Sequence, residues 1–377
     1  MAIPKPIYEQ TIKRFFEPIL PFLDDPTVTE IMINGPDQIF VERFGTISTT
    51  DARFSSREAL ESALRNLAQY VGRHVGPERP ILEARMPDGS RVEAVFPPAA
   101  GDGPTVAIRR FSKDPMTLDT LLGFGAFTPD LVQVIDGLVA AKQNIVIAGG
   151  TASGKTSLLN AVSSLIPEAE RVVVIEDARE LQLQLPHVVQ LEAQPPDANG
   201  RGATTIRDLF RATLRMRPDR IVVGEIRGGE ALDMVQAMTS GHGGCLATLH
   251  ATHALDSVNR IETLALMSDV GLPLYALRSQ VASAIDYLLL CSRLADGSRC
   301  VTSLTEVVGY HPTDGYEFKH LFRRAYTGRD ESGAIQSELR ATGEVPACID
   351  MLEAIGHAMP ESVERAREAR AAKETQS

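Results

Sequence analysis

The spacing of hydrophobic and polar positions changes near residue 113, and this change predicts two domains. Before it, apolar residues at helical spacing in 1–25 predict a short helix, and alternating runs in 26–112 predict strands around an amphipathic helix at 56–71. After it, wholly apolar strands alternate with helices. Such strands are typical of a parallel sheet that is covered by helices on both faces. The pattern therefore predicts a small α+β domain followed by a larger α/β domain.

The chain divides further into a linker and a C-terminal segment. A polar run with Pro115 breaks both periods, so we interpret 113–127 as a linker region. Strands and helices alternate over 128–310, and the pattern weakens over 311–377. We interpret this last segment as a C-terminal extension whose end, 361–374, is either a solvated helix or disordered.

Composition restricts the function more than the fold. The 377 residues include 38 Lys and Arg against 49 Asp and Glu, which gives a formal net charge of −11. Phosphate contacts need a basic surface, so this balance argues against direct nucleic-acid binding. The four cysteines have no CxxC spacing, and neither a zinc site nor a disulfide framework is predicted. No apolar run reaches the ~18 residues that cross a bilayer, so membrane contact is expected only through partners.

The strongest candidate chemistry is a glycine-rich segment between an apolar strand and a helix. Residues 149–156 read GGTASGKT and match G-x-x-x-x-G-K-[ST], the pattern of phosphate-binding loops. In such a loop, backbone N–H groups cradle the phosphates, the lysine neutralises them and the final hydroxyl binds magnesium. ATP and Mg²⁺ are therefore the predicted cofactors. The predicted binding residues are Gly149, Gly150, Thr151, Ala152, Ser153, Gly154, Lys155, Thr156 and Ser157, with Thr156 as a metal ligand.

Two acids and a histidine follow later apolar strands. Glu176 follows RVVVI, Glu225 follows RIVVG, and His250 ends CLATLH. Ligands of open parallel sheets bind at the carboxyl ends of the strands, so these three residues are candidates for catalysis. Each also has a simpler interpretation, because an acid after a strand often caps the next helix and a lone histidine is more often structural.

These features, in this order, resemble the ATPases of type II and type IV secretion systems and pili. That family carries a P-loop, an Asp box, a Walker B segment that ends in Gly-Glu, and a His box, which match 149–156, 171–180, 220–227 and 241–251. The segments RVVVIEDARELQLQLPHVVQLE and LRMRPDRIVVGEIRGGEALDMVQAM are most similar to the CpaF/TadA branch that powers Tad (Flp) pili. Conjugation ATPases are near relatives. The similarity extends over about residues 26–310.

The resemblance implies a RecA-like P-loop ATPase domain and a hexameric ring. It implies that Glu176 orients the attacking water, that Glu225 holds magnesium through water, and that His250 contacts the γ phosphate. The roles of the two glutamates could be exchanged. Arg91 and Arg109 match family arginines that stabilise the transferring phosphoryl group. Weaker candidates for the same role are Arg85, Arg110, Arg215, Arg217 and Arg227. For Arg227 the alternative is that it only supports the Walker B turn.

Charge along the chain adds one further expectation. Residues 79–113 and 205–230 each contain six basic and four acidic residues, although the whole chain is acidic. This local excess predicts that both segments face a triphosphate.

The leading hypothesis is a cytoplasmic hexameric motor that hydrolyses ATP to drive Tad or type IV-like pilus assembly, with retraction or secretion as further roles. It would associate peripherally with the inner membrane through a platform protein. The alternative is a conjugative type IV secretion ATPase for DNA or effector transfer. A RecA-type DNA motor is less favoured because the chain is acidic.

Overall fold

A computed structural model describes residues 5–43, 45–111, 116–196, 200–331 and 333–374. The chain divides into two compact units, one of Met1–Asp114 with Pro196–Arg201, and one of Pro115–Pro195 with Gly202–Ser377. The first four residues of the predicted N-terminal helix and residues 112–115, at the start of the predicted linker, lie outside the described residues.

The first unit is an antiparallel sheet with helices on one face. Its strand order is β3-β2-β1-β6-β5-β4. The strands are β1 (Val28–Asn34), β2 (Gln38–Arg43), β3 (Thr46–Thr49), β4 (Ile81–Arg85), β5 (Arg91–Val95) and β6 (Thr105–Arg109), and the helices are α1 (Lys5–Phe15), α2 (Leu20–Asp24) and α3 (Arg57–Tyr70). Alternate residues such as Ile31 and Ile108 pack against Ile12 and Leu60 of the helices. The opposite face of the sheet therefore carries the polar positions.

Of the two helices predicted in the first unit, the N-terminal one differs from the prediction and the amphipathic one agrees with it. Residues 5–24 form two α-helices joined by a 3₁₀ turn at Glu17–Ile19 rather than one short helix, since Pro18 and Pro21 lack the N–H that a continuous helix needs. The amphipathic helix at 56–71 is present as α3. It is capped by Ser56, whose Oγ accepts a hydrogen bond from the Ala59 N–H at 3.2 Å.

The second unit is a nine-stranded sheet of order β15-β14-β13-β12-β7-β11-β10-β8-β9. Its strands are β7 (Ile145–Gly149), β8 (Val172–Glu176), β9 (Val188–Glu192), β10 (Arg220–Val223), β11 (Leu246–His250), β12 (Tyr287–Arg293), β13 (Arg299–His311), β14 (Gly315–Arg329) and β15 (Ile335–Ala341). The helices are α4 (Leu118–Gly123), α5 (Pro129–Ala140), α6 (Lys155–Ser163), α7 (Ile206–Thr213), α8 (Glu230–Thr239), α9 (Ala254–Leu266), α10 (Leu274–Ala284), α11 (Ile349–Ala354) and α12 (Glu361–Glu374).

The inner strands of the parallel part of this sheet are buried on both faces, which explains their apolar sequences. The six strands from β12 to β9 are parallel to one another, and every residue of β7, β8 and β10 is buried. Ile147 and Val174 face a core built with α5 and α6, whereas Val146 and Val173 face a core built with α8, α9 and α10. Helices on both faces leave the ends of the strands as the places where polar side chains reach solvent.

The predicted linker and C-terminal extension contain more structure than the sequence indicated. Helix α4 lies within 113–127, begins at the Thr117 N-cap and buries Leu121 in the core of the second unit. Residue 310 falls inside β13, and β14 and β15 continue the same sheet by antiparallel pairing. Few of their residues are buried and the half-buried and exposed positions follow no regular period, which is why the apolar signal weakens there. Among the described residues, none of the helices is both long enough and apolar enough to span a membrane.

Candidate nucleotide-binding site

Four strand ends meet at the carboxyl edge of the parallel sheet in the second unit. Strands β7, β11, β10 and β8 are neighbours in this order and run in one direction. The residues that end or follow them are Gly149, His250, Glu225 and Glu176. Loops and helix N-termini converge at such an edge, where ligands of parallel sheets bind. The structure thus brings the predicted phosphate-binding loop, both glutamates and the histidine to one edge of one sheet.

The loop after β7 has the bent backbone that a phosphate-binding loop requires. Ala152 and Gly154 have φ angles of 56° and 94°, and α6 begins at Lys155. Lys155 Nζ and Ser153 Oγ donate hydrogen bonds to the carbonyl of Gly150, at 3.0 and 2.9 Å. These bonds fold the loop over the start of a helix, where the first N–H groups lack intrahelical partners and favour anions.

The other predicted residues of the loop differ in exposure. Thr151 is exposed, and a Cβ added to Gly150 would meet nothing within 4 Å. Thr156 and Ser157 are half-buried in the first turn of α6. A hydroxyl in this position can ligate a cation that accompanies bound phosphates.

Close packing beneath the loop requires glycine at position 149. A Cβ on Gly149 would lie 2.7 Å from both the carbonyl oxygen and the Sγ of Cys291 on β12. The Cys291 thiol donates to Ser153 Oγ at 3.4 Å. Burial raises the pKa of this thiol to about 11, so it remains protonated at neutral pH. Cys291 supports the loop from the adjacent strand, and the sequence gives no motif that would identify it.

Glu176, at the end of β8, is a buried carboxylate at the carboxyl edge of the sheet. Its Oε1 accepts hydrogen bonds from the N–H groups of Glu180 and Leu181, each at 2.9 Å. Its Oε2 has no hydrogen-bond partner among the described residues, although Glu176 is only 2% exposed. Burial raises the pKa of Glu176 to about 7, and the two N–H groups act in the opposite direction. A buried carboxylate that titrates near neutral pH, with one free oxygen, is suited to act as a general base.

Glu176 packs so closely against Gly224, the glycine of the Gly-Glu pair, that a side chain at position 224 would collide with it. A Cβ on Gly224 would lie 2.9 Å from Cγ of Glu176, so a larger residue would displace that side chain. The Gly224 N–H donates to the carbonyl of Ile175 at 2.8 Å, and its own carbonyl accepts from Thr248 Oγ1 at 2.5 Å. The turn after β10 is therefore tied to both neighbouring strands beside the buried glutamate.

Glu225 differs from Glu176 because it is ion-paired and partly exposed. The guanidinium of Arg227 pairs with Glu225 and also with Asp177 in the loop after β8. Glu230 fixes the backbone of this turn, since its Oε1 accepts the N–H of Arg227 at 2.7 Å. Arg227 thus connects the Walker B turn to the Asp box. This agrees with the second role considered for Arg227, which is to support the Walker B turn.

His250 ends β11 directly beside the phosphate-binding loop. Its register partner on the neighbouring parallel strand is Gly149. The four residues before it in β11 are buried, whereas His250 is exposed. A polar ring at the exposed end of a buried strand can reach a ligand that is bound by the loop.

In the first unit, Arg91 and Arg109 lie directly opposite each other on neighbouring strands. Arg85 is the register partner of Arg91 on its other side, so the three arginines form a row across β4, β5 and β6. Val92 and Ile108, which follow and precede them in sequence, point into the core, and the row therefore lies on the opposite face. Like charges at cross-strand positions repel each other, so such a row is suited to an anion.

The weaker candidate Arg110 has a structural role. Its guanidinium donates to the carbonyl oxygens of Asp25 and, at 3.1 Å, Val28, which anchors the chain at the start of β1. Its neighbour Arg109 is exposed and has Glu30 as register partner. Burial raises the pKa of Glu30, and the charge of Arg109 acts against this rise. The two adjacent arginines therefore have different surroundings, and the contacts of Arg110 favour a structural role over phosphate binding.

Arg215 and Arg217 lie at the edge of the sheet opposite to the phosphate-binding loop. Both lie in the turn between α7 and β10, which is at the amino end of β10. The phosphate-binding loop lies at the carboxyl edge of the same sheet. Arg217 has a φ of 53° and helps to form the turn. Within this unit neither arginine is close to the candidate site.

The basic residues of 205–230 are largely neutralised by carboxylates, which argues against the expectation that this segment faces a triphosphate with an excess of positive charge. Arg207 and Arg211 both pair with Asp233 of α8. Arg220 is buried and pairs with Glu170. A net count of charges does not record such pairing, and here local carboxylates neutralise the arginines.

The residues at the carboxyl edge fit ATP with magnesium. Hydroxyl and carboxylate oxygens, such as those of Thr156 and Glu225, are the ligand types that Mg²⁺ takes together with water and phosphate oxygens. Lys155 and the start of α6 supply positive potential for phosphates. The unpartnered Oε2 of Glu176 is a buried acceptor that a bound water would satisfy. Thr156 and Glu225 are the residues that would hold the metal.

The chain matches the family model described as type II/IV secretion system protein over residues 13–336. A putative conjugal transfer protein of Mycobacterium tuberculosis is 34% identical over 285 residues, which cover 74% of this chain and 80% of that protein. The type IV secretion system protein PtlH of Bordetella pertussis is 35% identical over 301 residues, which cover 73% and 88%.

Among solved structures, the pilus retraction motor PilT with bound ADP is similar with a TM-score of 0.53. The match has 16% sequence identity and covers 92% of this chain and 86% of PilT, so it shows the fold alone. The predicted fold class, a RecA-like α/β domain with a smaller N-terminal α+β unit, is confirmed. The hexameric ring and the assignment to the Tad branch stay predictions.

Proposed function

Since the chain belongs to the type II/IV secretion system protein family, we propose that it hydrolyses ATP and drives a secretion or pilus machine. Membership of this family supports ATPase activity in general. The observation that carries the proposal is the buried Glu176, which has one oxygen without a hydrogen-bond partner among the described residues and lies at the same sheet edge as the phosphate-binding loop.

The proposed reaction assigns a separate task to each group at the edge. The loop 149–156 binds the triphosphate, and Lys155 neutralises its β and γ phosphates. Glu176 Oε2 orients a water and takes its proton while the water oxygen bonds to the γ phosphorus. The bond from that phosphorus to the β–γ bridging oxygen breaks, which gives ADP and inorganic phosphate. His250 contacts the γ phosphate.

Magnesium, when bound, supplies positive charge to the phosphate oxygens. Thr156 would hold it directly and Glu225 through water. Arg227 pairs with both Glu225 and Asp177, which keeps the Glu225 carboxylate at the Walker B turn and leaves the base role to Glu176. Arg91 and Arg109 would stabilise the charge of the transferring phosphoryl group. Their position as a cross-strand pair beside Arg85 supports a shared anionic target.

We propose that the motor is a homohexamer on the cytoplasmic side of the inner membrane. A platform protein of the machine would hold it there, so contact with the membrane is through partners and nucleic acid is not bound directly. The leading cargo is a Tad or type IV-like pilus. The alternative, a conjugative type IV secretion system, is favoured by the relative named as a putative conjugal transfer protein.

ATP hydrolysis is tested by phosphate release from the purified chain with ATP and Mg²⁺. We expect Lys155→Ala to lower turnover on the order of 100-fold, because a charge on the transferring group loses its counter-ion. Lys142→Ala is the matched control, since Lys142 pairs with Glu170 in the same unit and should keep full turnover. Equal turnover in Lys155→Ala and the wild type would contradict the site.

The cargo is tested in the producing cell. Replacement of the chromosomal copy by Lys155→Ala should remove surface pili if the motor assembles a pilus, and should leave plasmid transfer unchanged. Loss of plasmid transfer with normal pili would instead support the conjugative alternative.

A further inference from the structure

A residue of β13, which lies outside the parallel part of the sheet, forms a hydrogen bond with the phosphate-binding loop. Arg299, the first residue of β13, donates from Nε to the carbonyl oxygen of Ala152 at 2.8 Å, across 147 positions of sequence. The stem of the arginine also lies against the loop, because a Cβ on Gly154 would be 3.6 Å from Arg299 Cδ. This contact joins the antiparallel part of the sheet to the nucleotide-binding loop.

The contact with Arg299 can stabilise an unfavourable backbone conformation at Ala152. Its φ of 56° lies in the left-handed region, which is disfavoured for a residue that has a Cβ. The carbonyl of Ala152 and the N–H of Ser153 belong to one trans peptide and point in opposite directions. A guanidinium that holds the carbonyl outward therefore directs the Ser153 N–H into the loop, where it lies 3.4 Å from the carbonyl of Gly150.

The position of Arg299 is fixed in turn by the C-terminal strands. In the turn between β12 and β13, Asp296 accepts hydrogen bonds from the Ser298 N–H at 3.0 Å and the Ser298 hydroxyl at 2.6 Å. It also accepts the N–H of Ile335, the first residue of β15, at 2.6 Å. Together these bonds, with the Ser298 hydroxyl first, lower the pKa of Asp296 to about 2, so it is ionised at neutral pH. A continuous set of contacts thus runs from β15 through this turn to Arg299.

We propose that Arg299 is a positioning residue for the phosphate-binding loop, through which the antiparallel strands β13 and β15 help to set the affinity for nucleotide. This inference rests on the proposed nucleotide-binding function. Arg299 acts on the backbone of the loop: it holds Ala152 in its left-handed conformation before nucleotide arrives. The bound phosphates then meet a loop whose N–H groups are already turned inward.

The test is the Kd of fluorescently labelled ADP for the full-length purified chain. Arg299→Ala should raise this Kd by about 3- to 10-fold, the loss expected for one hydrogen bond that is exposed to solvent. Arg299→Lys, which keeps a donor and the charge, should recover part of the affinity. Arg340→Ala is the matched control, because Arg340 is an exposed arginine of the same sheet that pairs with Glu338, and it should leave the Kd unchanged.

Repeating the measurement in an Ala152→Gly chain distinguishes two roles of Arg299, positioning of the loop and direct contact with phosphate. Glycine adopts positive φ without a steric penalty, so in the Ala152→Gly background Arg299→Ala should raise the Kd by less than about twofold. Asp296→Asn, which weakens the turn that holds Arg299, should raise the Kd in the same direction by a smaller factor. This variant also serves if Arg299→Ala does not fold, as judged by thermal melting.

An unchanged Kd in both Arg299→Ala and Asp296→Asn would overturn the proposal. An equal rise for Arg299→Ala with and without Ala152→Gly would also overturn it, since the arginine would then act on the phosphates themselves. A wild-type chain that binds no labelled ADP would contradict the proposed function instead.

Discussion

The two sheets of this protein carry charged groups in different places. In the second unit, the parallel strands are buried on both faces, and the functional side chains appear only where strands end. In the first unit, one face of the antiparallel sheet is free of the core, so Arg91 and Arg109 occupy strand positions and meet across the ladder. The difference follows from burial, because a strand with helices on both sides has no place for charge in its interior.

This difference also separates what each sheet can contribute to a reaction. The edge of the parallel sheet provides fixed backbone N–H groups and a carboxylate whose pKa is raised by burial. These groups can bind phosphates and accept a proton with little rearrangement. The antiparallel face provides charge at the ends of long arginine side chains, and fixing such a side chain on a ligand costs conformational entropy. The largest losses of activity are therefore expected from changes at the parallel edge.

Among changes to residues around the base, the largest effect is expected from Gly224→Ala. The new Cβ would lie 2.9 Å from Cγ of Glu176, so the base must leave its position, and turnover should fall on the order of 100-fold. Affinity for labelled ADP should stay near the wild-type value, because the phosphate-binding loop is not touched. Gly271→Ala is the control, since a Cβ there would meet nothing within 4 Å. Normal turnover in Gly224→Ala would show that the position of Glu176 does not matter.

A smaller effect is expected from Arg91→Ala on the antiparallel face. Turnover should fall about 10- to 100-fold if the arginine stabilises the transferring group, whereas ADP affinity should change little. Arg57→Ala, whose exposed side chain pairs with Glu61 in the same unit, should keep normal turnover.

Mixed subunits show where this arginine acts. Mixing Arg91→Ala with Lys155→Ala subunits should restore part of the turnover if Arg91 acts across a subunit boundary, and no restoration would mean that it acts within one chain. Full activity of Arg91→Ala alone would remove the antiparallel face from the reaction.

The pH dependence of kcat tests the buried carboxylate without a mutation. Glu176 must be ionised to accept a proton, and its pKa is raised to about 7, so kcat should rise with pH. Between pH 6 and pH 8 the ionised fraction increases roughly tenfold for a group that titrates near pH 7. The Kd of labelled ADP is the companion measurement and should change less. A flat or falling kcat over this range would contradict Glu176 as the base.

The smallest effect on activity is expected from Arg110→Ala. Removal of its guanidinium leaves the carbonyls of Asp25 and Val28 without this donor, which should lower the free energy of unfolding by about 1–3 kcal/mol. Denaturant unfolding measures this loss, and turnover well below the melting temperature should be normal. Reduced turnover with unchanged stability would place Arg110 at the site together with Arg109.

Most of the parallel domain could be predicted from the sequence because its signals are local. Continuous apolar runs mark β7, β8 and β10, and the loop motif identifies the phosphate site by itself. Strands β14 and β15 have mixed exposure and charged positions, so neither apolar run nor strict alternation marks them. The helix in the predicted linker, α4, has only six residues, which is too short for a clear period.

Some features of the site could not be predicted from the sequence, because they depend on contacts between residues that are far apart in the chain. Arg109 and Arg110 are neighbours in sequence, and only strand register shows that one joins a row of arginines while the other anchors β1. The contact of Arg299 with Ala152 joins residues 147 positions apart and carries no motif. Likewise, the choice between Glu176 and Glu225 depends on burial and ion pairing, which neither local sequence records.

The central claim is that Glu176 is the base of an ATP-hydrolysing site, and the turnover of Glu176→Gln tests it most directly. Glutamine keeps the size of the side chain and an oxygen for the Glu180 and Leu181 N–H groups, but it cannot take a proton at neutral pH. We predict that turnover falls at least about 100-fold while labelled ADP binds normally, and that the residual activity loses its rise between pH 6 and pH 8. Wild-type turnover with the same pH profile in Glu176→Gln would contradict the claim.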